Sequence, residues 1–181
     1  MGTPGSEVRS WLCIARQVSC EQRCVLEPPK RLIDFLNQSS VRYEILHHPE
    51  AFTAQELAAI EHVKGRSHAK VVMVKTDSEQ FMAVLPADHR VDLEKLGKQT
   101  GQRMALATET EFKTLFPDCA VGTMPPFGHL YGVATYVETS LTEAEALVFE
   151  AGTHSDAIKM SYADYARLAQ PTVAEFAVKL H

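Results

Sequence analysis

Apolar residues fall at helical spacing in some stretches of the chain and in short strand-like runs in others, and these changes of period predict most of the architecture. Leu32, Phe35 and Leu36 recur every three to four residues, which predicts a helix that "NQSS" brings to a close. "VRYEILHH" alternates as a strand does. "FTAQELAAIEHV" returns to the helical period, with Thr53 and Glu56 spaced as a capping box. "KVVMVK" and "FMAVLPA" are apolar runs on either side of "TDSEQ", the pattern of a β-hairpin. "VDLEKLGKQTG" reads as a helix that stops at Gly101, and "RMALAT" as a strand. "ETEFKTLFP" reads as a short helix whose first turn is acidic, as the macrodipole favours, and which ends at Pro117. Further strands are expected in "LYGVATYVE", "EALVFEAG" and "DAIKMS". "YADYARLAQ" and "TVAEFAVKL" are expected to close the chain as helices, the second with Val173, Phe176, Ala177 and Leu180 in one apolar stripe. Short strands mixed with helices, without a regular βαβ succession, predict a mixed α/β domain over residues 29–181. Residues 1–28, irregular in pattern and ending near "EPPK", read as an extension, flexible or accessory.

One loop breaks the periodic pattern. In "VGTMPPFGH", residues 121–129, two adjacent prolines stand between two glycines. Gly122 and Gly128 permit backbone angles that other residues resist, whereas Pro125 and Pro126 fix φ and lack N–H donors. The proline pair also restricts Met124, so the loop is expected to be stiff and to offer the amides of Gly122, Thr123, Met124, Phe127 and Gly128. Such a loop is either a surface turn or a preformed cradle for oxygen atoms.

Composition narrows the chemistry. The 181 residues suffice for a real core, and no apolar run reaches membrane-spanning length. A formal charge of −5 argues against a protein that coats nucleic acid by bulk electrostatics, and a DNA partner is not expected. A local basic patch is visible in "VKGRSHAKVVMVK", where Lys64, Arg66, Lys70 and Lys75 fall together with His68. Lys70, at the entrance to an apolar strand, is either a strand-edge lysine reaching water or a fixed cation for a phosphate. The eight histidines show no HExxH and no ligand spacing, and Cys20 and Cys24 lack a partner pair, so neither metal nor cofactor is expected. With no export signal in view, the four cysteines read as reduced and the location as cytoplasmic. Cys119 reads as a small buried side chain before a nucleophile. There is neither a G-x-S-x-G elbow nor a Walker loop. Gly152 and Thr153 suit a turn, and His154 stands at its tip.

Taken together, Lys70 opening "KVVMVK", Gly122 to Pro126 as a G-x-x-x-P loop, and "EAGTHSDAIKM" resemble the YbaK-type, prolyl-tRNA-synthetase-associated editing domains. The order of elements is similar over residues 30–178. The resemblance implies a central mixed, largely antiparallel curved sheet flanked by helices. It also implies a freestanding, trans-acting aminoacyl-tRNA deacylase that hydrolyses the ester of a small amino acid such as alanine, serine or cysteine. By position, Lys70 is similar to the lysine that holds the phosphate near the terminal adenosine, and Gly122 and Pro126 match the fixed positions of the loop that places the aminoacyl group. Thr123, Met124 and Phe127 then belong to the substrate-binding loop, and His154 corresponds more loosely to a polar pocket residue. The implied mechanism needs no metal and uses the tRNA's own neighbouring hydroxyl to activate water. The implied partners are an aminoacyl-tRNA acceptor end and an aminoacyl-tRNA synthetase. A reactive ester asks for positioning and oxyanion stabilisation more than for a strong nucleophile, which fits the absence of a Ser/His/Asp set. The competing reading is a non-catalytic module of the same fold that binds a tRNA end or a synthetase.

Overall fold

Leu32 and Leu36, one helical turn apart and both fully buried, dock helix α1 (Lys30–Gln38) onto the protein. Burying each is worth about 1.5–3 kcal/mol, enough to hold a nine-residue helix that would not persist alone. Ser40, at φ 53°, turns the chain out of the helix inside the "NQSS" stretch. The computed structural model describes residues 27–48 and 67–180. The helix expected over 52–63, with Thr53 and Glu56, lies outside the described residues, as do residues 1–26, Lys64 and Arg66.

The remaining elements follow in order: β1 (Tyr43–His47), β2 (His68–Lys75), β3 (Gln80–Pro86), β4 (His89–Val91), α2 (Leu93–Thr100), β5 (Ala105–Leu106) and α3 (Glu109–Phe112). Then come β6 (Ala134–Glu138), β7 (Ala146–Glu150), β8 (Asp156–Ser161), α4 (Tyr162–Ala169), β9 (Thr172–Ala174) and β10 (Ala177–Lys179). Seven strands form one sheet in the order β1-β8-β7-β2-β3-β6-β9, with β5 added against β2, while β10 and β4 make a separate ribbon. Strands β1 with β8, β2 with β3 and β7 with β8 pair antiparallel, whereas β2 with β7, β3 with β6 and β6 with β9 run parallel. A mixed sheet flanked by helices is the architecture that the resemblance implied.

Both faces of the sheet are covered, and the period-two alternation of its central strands divides the core into two layers. Met82 and Val84 join Ala69, Met73, Phe149 and Ile158 under α1 and α4. Phe81, Ala83 and Leu85 turn the other way, to Val74, Phe176 and Leu96 of α2. Helix α2 begins at Asp92, whose carboxylate accepts the N–H groups of Glu94 and Lys95 at 3.1 and 3.0 Å, and it ends at Gly101 with φ 69°. A capping box closes the start of α3 between Thr108 and Glu111.

The last segment differs from expectation. "TVAEFAVKL" is not a helix but two short strands, β9 beside β6 and β10 beside β4. The reason is a carboxylate far away in sequence. Glu138, itself buried, accepts the N–H groups of Phe176 and Ala177 at 2.6 and 2.7 Å, so this backbone bonds outside its own segment. The supposed stripe is split, with Phe176 fully buried while Val173 is 51% exposed. Two further segments are shorter strands than their patterns imply. Only Ala105–Leu106 pairs in "RMALAT", and Gly128–Tyr131 is a 3-10 turn before β6 begins. Glu138→Gln keeps an acceptor but loses the charge that strengthens both bonds. It is expected to lower unfolding stability by about 1–2 kcal/mol in a urea titration, with the slope unchanged.

Candidate functional site

Strands β2 and β7 pair in register only at His68 with Val148 and Ala69 with Phe149. Lys70 is the first residue of β2 beyond that pairing. Alternation places it on the face of Val72 and Val74, opposite Ala69 and Met73. Its Nζ donates to the carbonyl of Ala87 at 3.1 Å, just past the end of β3. Half burial lowers the ammonium pKa below the ordinary lysine value, and the nearby Asp88 carboxylate partly opposes that shift. Lys70 is therefore a held cation and not a solvated strand end. The rest of the supposed basic patch does not gather around it among the described residues. His68 is fully buried, and Lys75, at the far end of β2, is paired with Glu111. That pairing, with hydrogen bonds from Thr108, holds the Glu111 carboxyl at about 2.

The G-x-x-x-P loop is attached to the chain that leaves β7. The Gly152 N–H donates to Thr123 O and the Ala120 N–H donates to Gly152 O, both at 2.8 Å. Gly152 sits at φ 87°, and a Cβ there would press on the Pro29 ring, 2.6 Å from its Cγ, so only glycine fits this junction. Gly122 has φ 89°, is exposed, and has open space where a side chain would stand. Pro125 and Pro126 are buried, as are Thr123, Met124 and Phe127. The Phe127 ring packs on Phe35, Phe149 and Tyr165 at centroid distances of 5.5–5.8 Å, and Met124 lies in the same core layer. The loop is thus stiffened from below as well as by its prolines.

Of the five amides that the sequence offers, three bond inside the loop region. Thr123 N–H donates to Ala120 O, Phe127 N–H to Pro125 O, and Gly128 N–H to Thr135 Oγ1. The amides of Gly122 and Met124 have no hydrogen-bond partner among the described residues. His154 follows Gly152 and Thr153 on the turn between β7 and β8, so the structure brings the loop and this turn together through Gly152. The apolar side chains of Met124 and Phe127 are not brought to the face of Lys70. Sequence reasoning missed the Gly152 junction and the anchoring of Phe127. The visible signals were a glycine directly after an apolar strand and an aromatic directly after two prolines.

Cys119 stands beside the loop with its Sγ 3.4 Å from the Tyr131 hydroxyl. Burial pushes its pKa up to about 11, against the smaller opposing effect of the Tyr131 hydrogen bond. The upward shift favours the neutral thiol, the opposite of an activated nucleophile. Iodoacetamide is expected to alkylate Cys119 in the folded protein far more slowly than after denaturation, with mass spectrometry locating the adduct.

A stiff loop with two spare amides, beside a Cys119 that is not activated, suits an ester that needs placing more than attacking. The family model of the aminoacyl-tRNA editing domain matches residues 48–168, a span that includes Lys70, the whole loop and His154. The chain belongs to the aminoacyl-tRNA editing domain family. Within this editing family it is 27% identical over 153 residues to the multifunctional Ser/Thr-tRNA deacylase ProXp-y of Escherichia coli K12, covering 81% of this chain and 91% of that protein. It is 33% identical over 69 residues to the prolyl-tRNA synthetase associated domain-containing protein 1 of Mus musculus, covering 36% of this chain and 40% of that one. The fold is shared with the crystal structure of hypothetical protein APE2540, at TM-score 0.75 and 18% identity over 82% of this chain and 100% of that one. It is also shared with a proposed trans-editing enzyme for prolyl tRNA synthetase, at TM-score 0.71 and 20% identity over 83% and 96% of the two chains. Among the described residues, no group of His, Cys, Asp and Glu is arranged to hold a metal ion, and no helix is long and apolar enough to cross a membrane.

Proposed function

We propose that this editing domain is a freestanding, cytoplasmic aminoacyl-tRNA deacylase that removes small amino acids from mischarged tRNA in trans to a synthetase. The observation that carries the reading is the pair of spare amides, Gly122 and Met124, in a loop that is locked by Gly152 and rooted in the core. Those N–H groups receive the ester carbonyl oxygen as it gains charge. Donors fixed beforehand need no reorganisation, and one such donor is worth on the order of a hundredfold or more in rate. Gly122 leaves open space for the aminoacyl group, and Pro126 holds the far end of the loop. Thr123, Met124 and Phe127 contribute backbone, since their side chains are buried. Lys70 holds the phosphate near the terminal adenosine, and His154 lines the pocket from the neighbouring turn. The neighbouring ribose hydroxyl directs the attacking water, so the tRNA itself supplies what the protein lacks. The unit that does this is residues 29–181, gripping only the acceptor end, which an acidic protein manages with a local cation.

The test is release of amino acid from a panel of tRNAs charged with Ala, Ser, Cys, Thr and Pro, with chelator present throughout. Release of one or two of these by wild type, and not by Lys70→Ala, supports metal-free editing and names the substrate. No release by a folded protein that binds tRNA or a synthetase overturns the deacylase and leaves a binding module.

A further inference from the structure

The turn that carries His154 is organised by a single carboxylate. Asp156 opens β8 and is 6% exposed. Its Oδ2 accepts the hydroxyl of Thr153 at 2.5 Å and that of Ser155 at 3.2 Å. Its Oδ1 lies 2.6 Å from Nδ1 of His47, the residue directly across the β1–β8 ladder. The main chain closes the same turn, with Ala151 N–H donating to Asp156 O at 2.8 Å and His48 N–H donating to Ser155 O at 3.0 Å. Three side-chain donors from β1 and the turn therefore converge on one buried carboxylate. A buried carboxyl group is tolerated only while its hydrogen bonds are made, and here Thr153 and Ser155 make two of them from within the turn itself.

That order does not stop at the turn. Gly152 precedes Thr153 and exchanges two backbone bonds with Ala120 and Thr123, on either side of Gly122. The positive φ of Gly152 and the Pro29 ring against it leave the junction no slack. We infer that Asp156 is a positioning residue of the editing site: by holding Thr153, Ser155 and His47 it fixes the 152–155 turn and, through Gly152, the amides of Gly122 and Met124. The inference rests on the deacylase reading of that loop. Asp156, 6% exposed, acts in this inference through the turn that it holds and not by contact with the ester. Its removal therefore acts on the orientation of the reacting ester, and hence on kcat, and leaves capture of the phosphate by Lys70 as it was.

The experiment measures kcat, KM and melting temperature for wild type, Thr153→Val, Thr153→Ser, Asp156→Asn and Lys70→Ala on the charged tRNA that wild type hydrolyses. Thr153→Val keeps the side-chain shape but loses the donor, and it is expected to lower kcat at least about tenfold with KM unchanged, as small misplacements at a reacting centre do. Asp156→Asn is expected to do the same. Thr153→Ser restores the hydroxyl and is expected to restore kcat, which a merely space-filling role for Thr153 would not produce. If Asp156→Asn fails to fold, the comparison of Val with Ser at position 153 still decides. Wild-type turnover in Thr153→Val, beside a defective Lys70→Ala, overturns the positioning role and leaves the deacylase standing. Absence of turnover in wild type overturns the deacylase reading and this inference with it.

Discussion

Lys70→Ala is expected to raise KM for the charged tRNA roughly tenfold to a hundredfold, the worth of one hydrogen bond to a charged group. Melting temperature should move little, because the side chain is only half buried and, among the described residues, its one intramolecular hydrogen bond is to the Ala87 carbonyl. The pH dependence carries a definite sign. Burial lowers the Lys70 pKa, so the ammonium is lost at a lower pH than from an exposed lysine, and a bound phosphate draws the proton back. Binding is therefore expected to weaken as pH climbs through that lowered value. Lys70→Arg, which stays protonated, should flatten the profile even where its different shape weakens binding overall. Affinity for a tRNA carrying an amide-linked amino acid, which base does not cleave, measures this without interference from ester hydrolysis. A Kd independent of pH and of residue 70 removes the lysine from the site.

Phe127→Ala is expected to cost about 3–5 kcal/mol and roughly 6–20 °C in melting temperature, which a thermal melt followed by circular dichroism would read. The ring is fully buried and meets Phe35, Phe149 and Tyr165 edge to face. Its removal leaves a cavity among rings that cannot collapse without moving α1, β7 and α4 together. The same substitution frees the loop at its root while leaving Gly122 and both prolines in place. At temperatures where the variant remains folded, kcat is expected to fall even so. Full turnover in a folded, destabilised variant would show that the prolines suffice to shape the loop.

How much was legible in the sequence depended on how far each cause lies along the chain. Helix α1 and the β2–β3 hairpin follow from spacing within a single short stretch of chain, and so were readable. Helix α4 was readable too, since Ser161 caps it by accepting the Asp164 N–H. Residues 172–179 were misread because the groups that fix their backbone belong to β4, β6 and Glu138, none of them local. The candidate site divides in the same way. Gly122, Pro125 and Pro126 declare a special backbone by their chemistry alone. The bonds from Gly152 that lock this backbone leave no spacing signal, because they join segments some thirty residues apart. Asp156 was likewise hidden, since the His47 imidazole beside it is 109 residues away in sequence.

That last separation bears on how the protein comes to be built. Strand β1 lies at the edge of the sheet and is bonded only to β8, among the described strands. Tyr43 finds Met160, and His47 finds Asp156, only when all of the intervening chain has been made. Long-range pairings of this kind close slowly, since the chain entropy of the loop is lost before the contacts form. During synthesis the G-x-x-x-P loop emerges well before β8, so a ribosome-bound intermediate carries it without the turn that locks it. Locking of the loop is thereby deferred until β8 has been made, and a product truncated before Gly152 carries the G-x-x-x-P motif without the bonds that hold it.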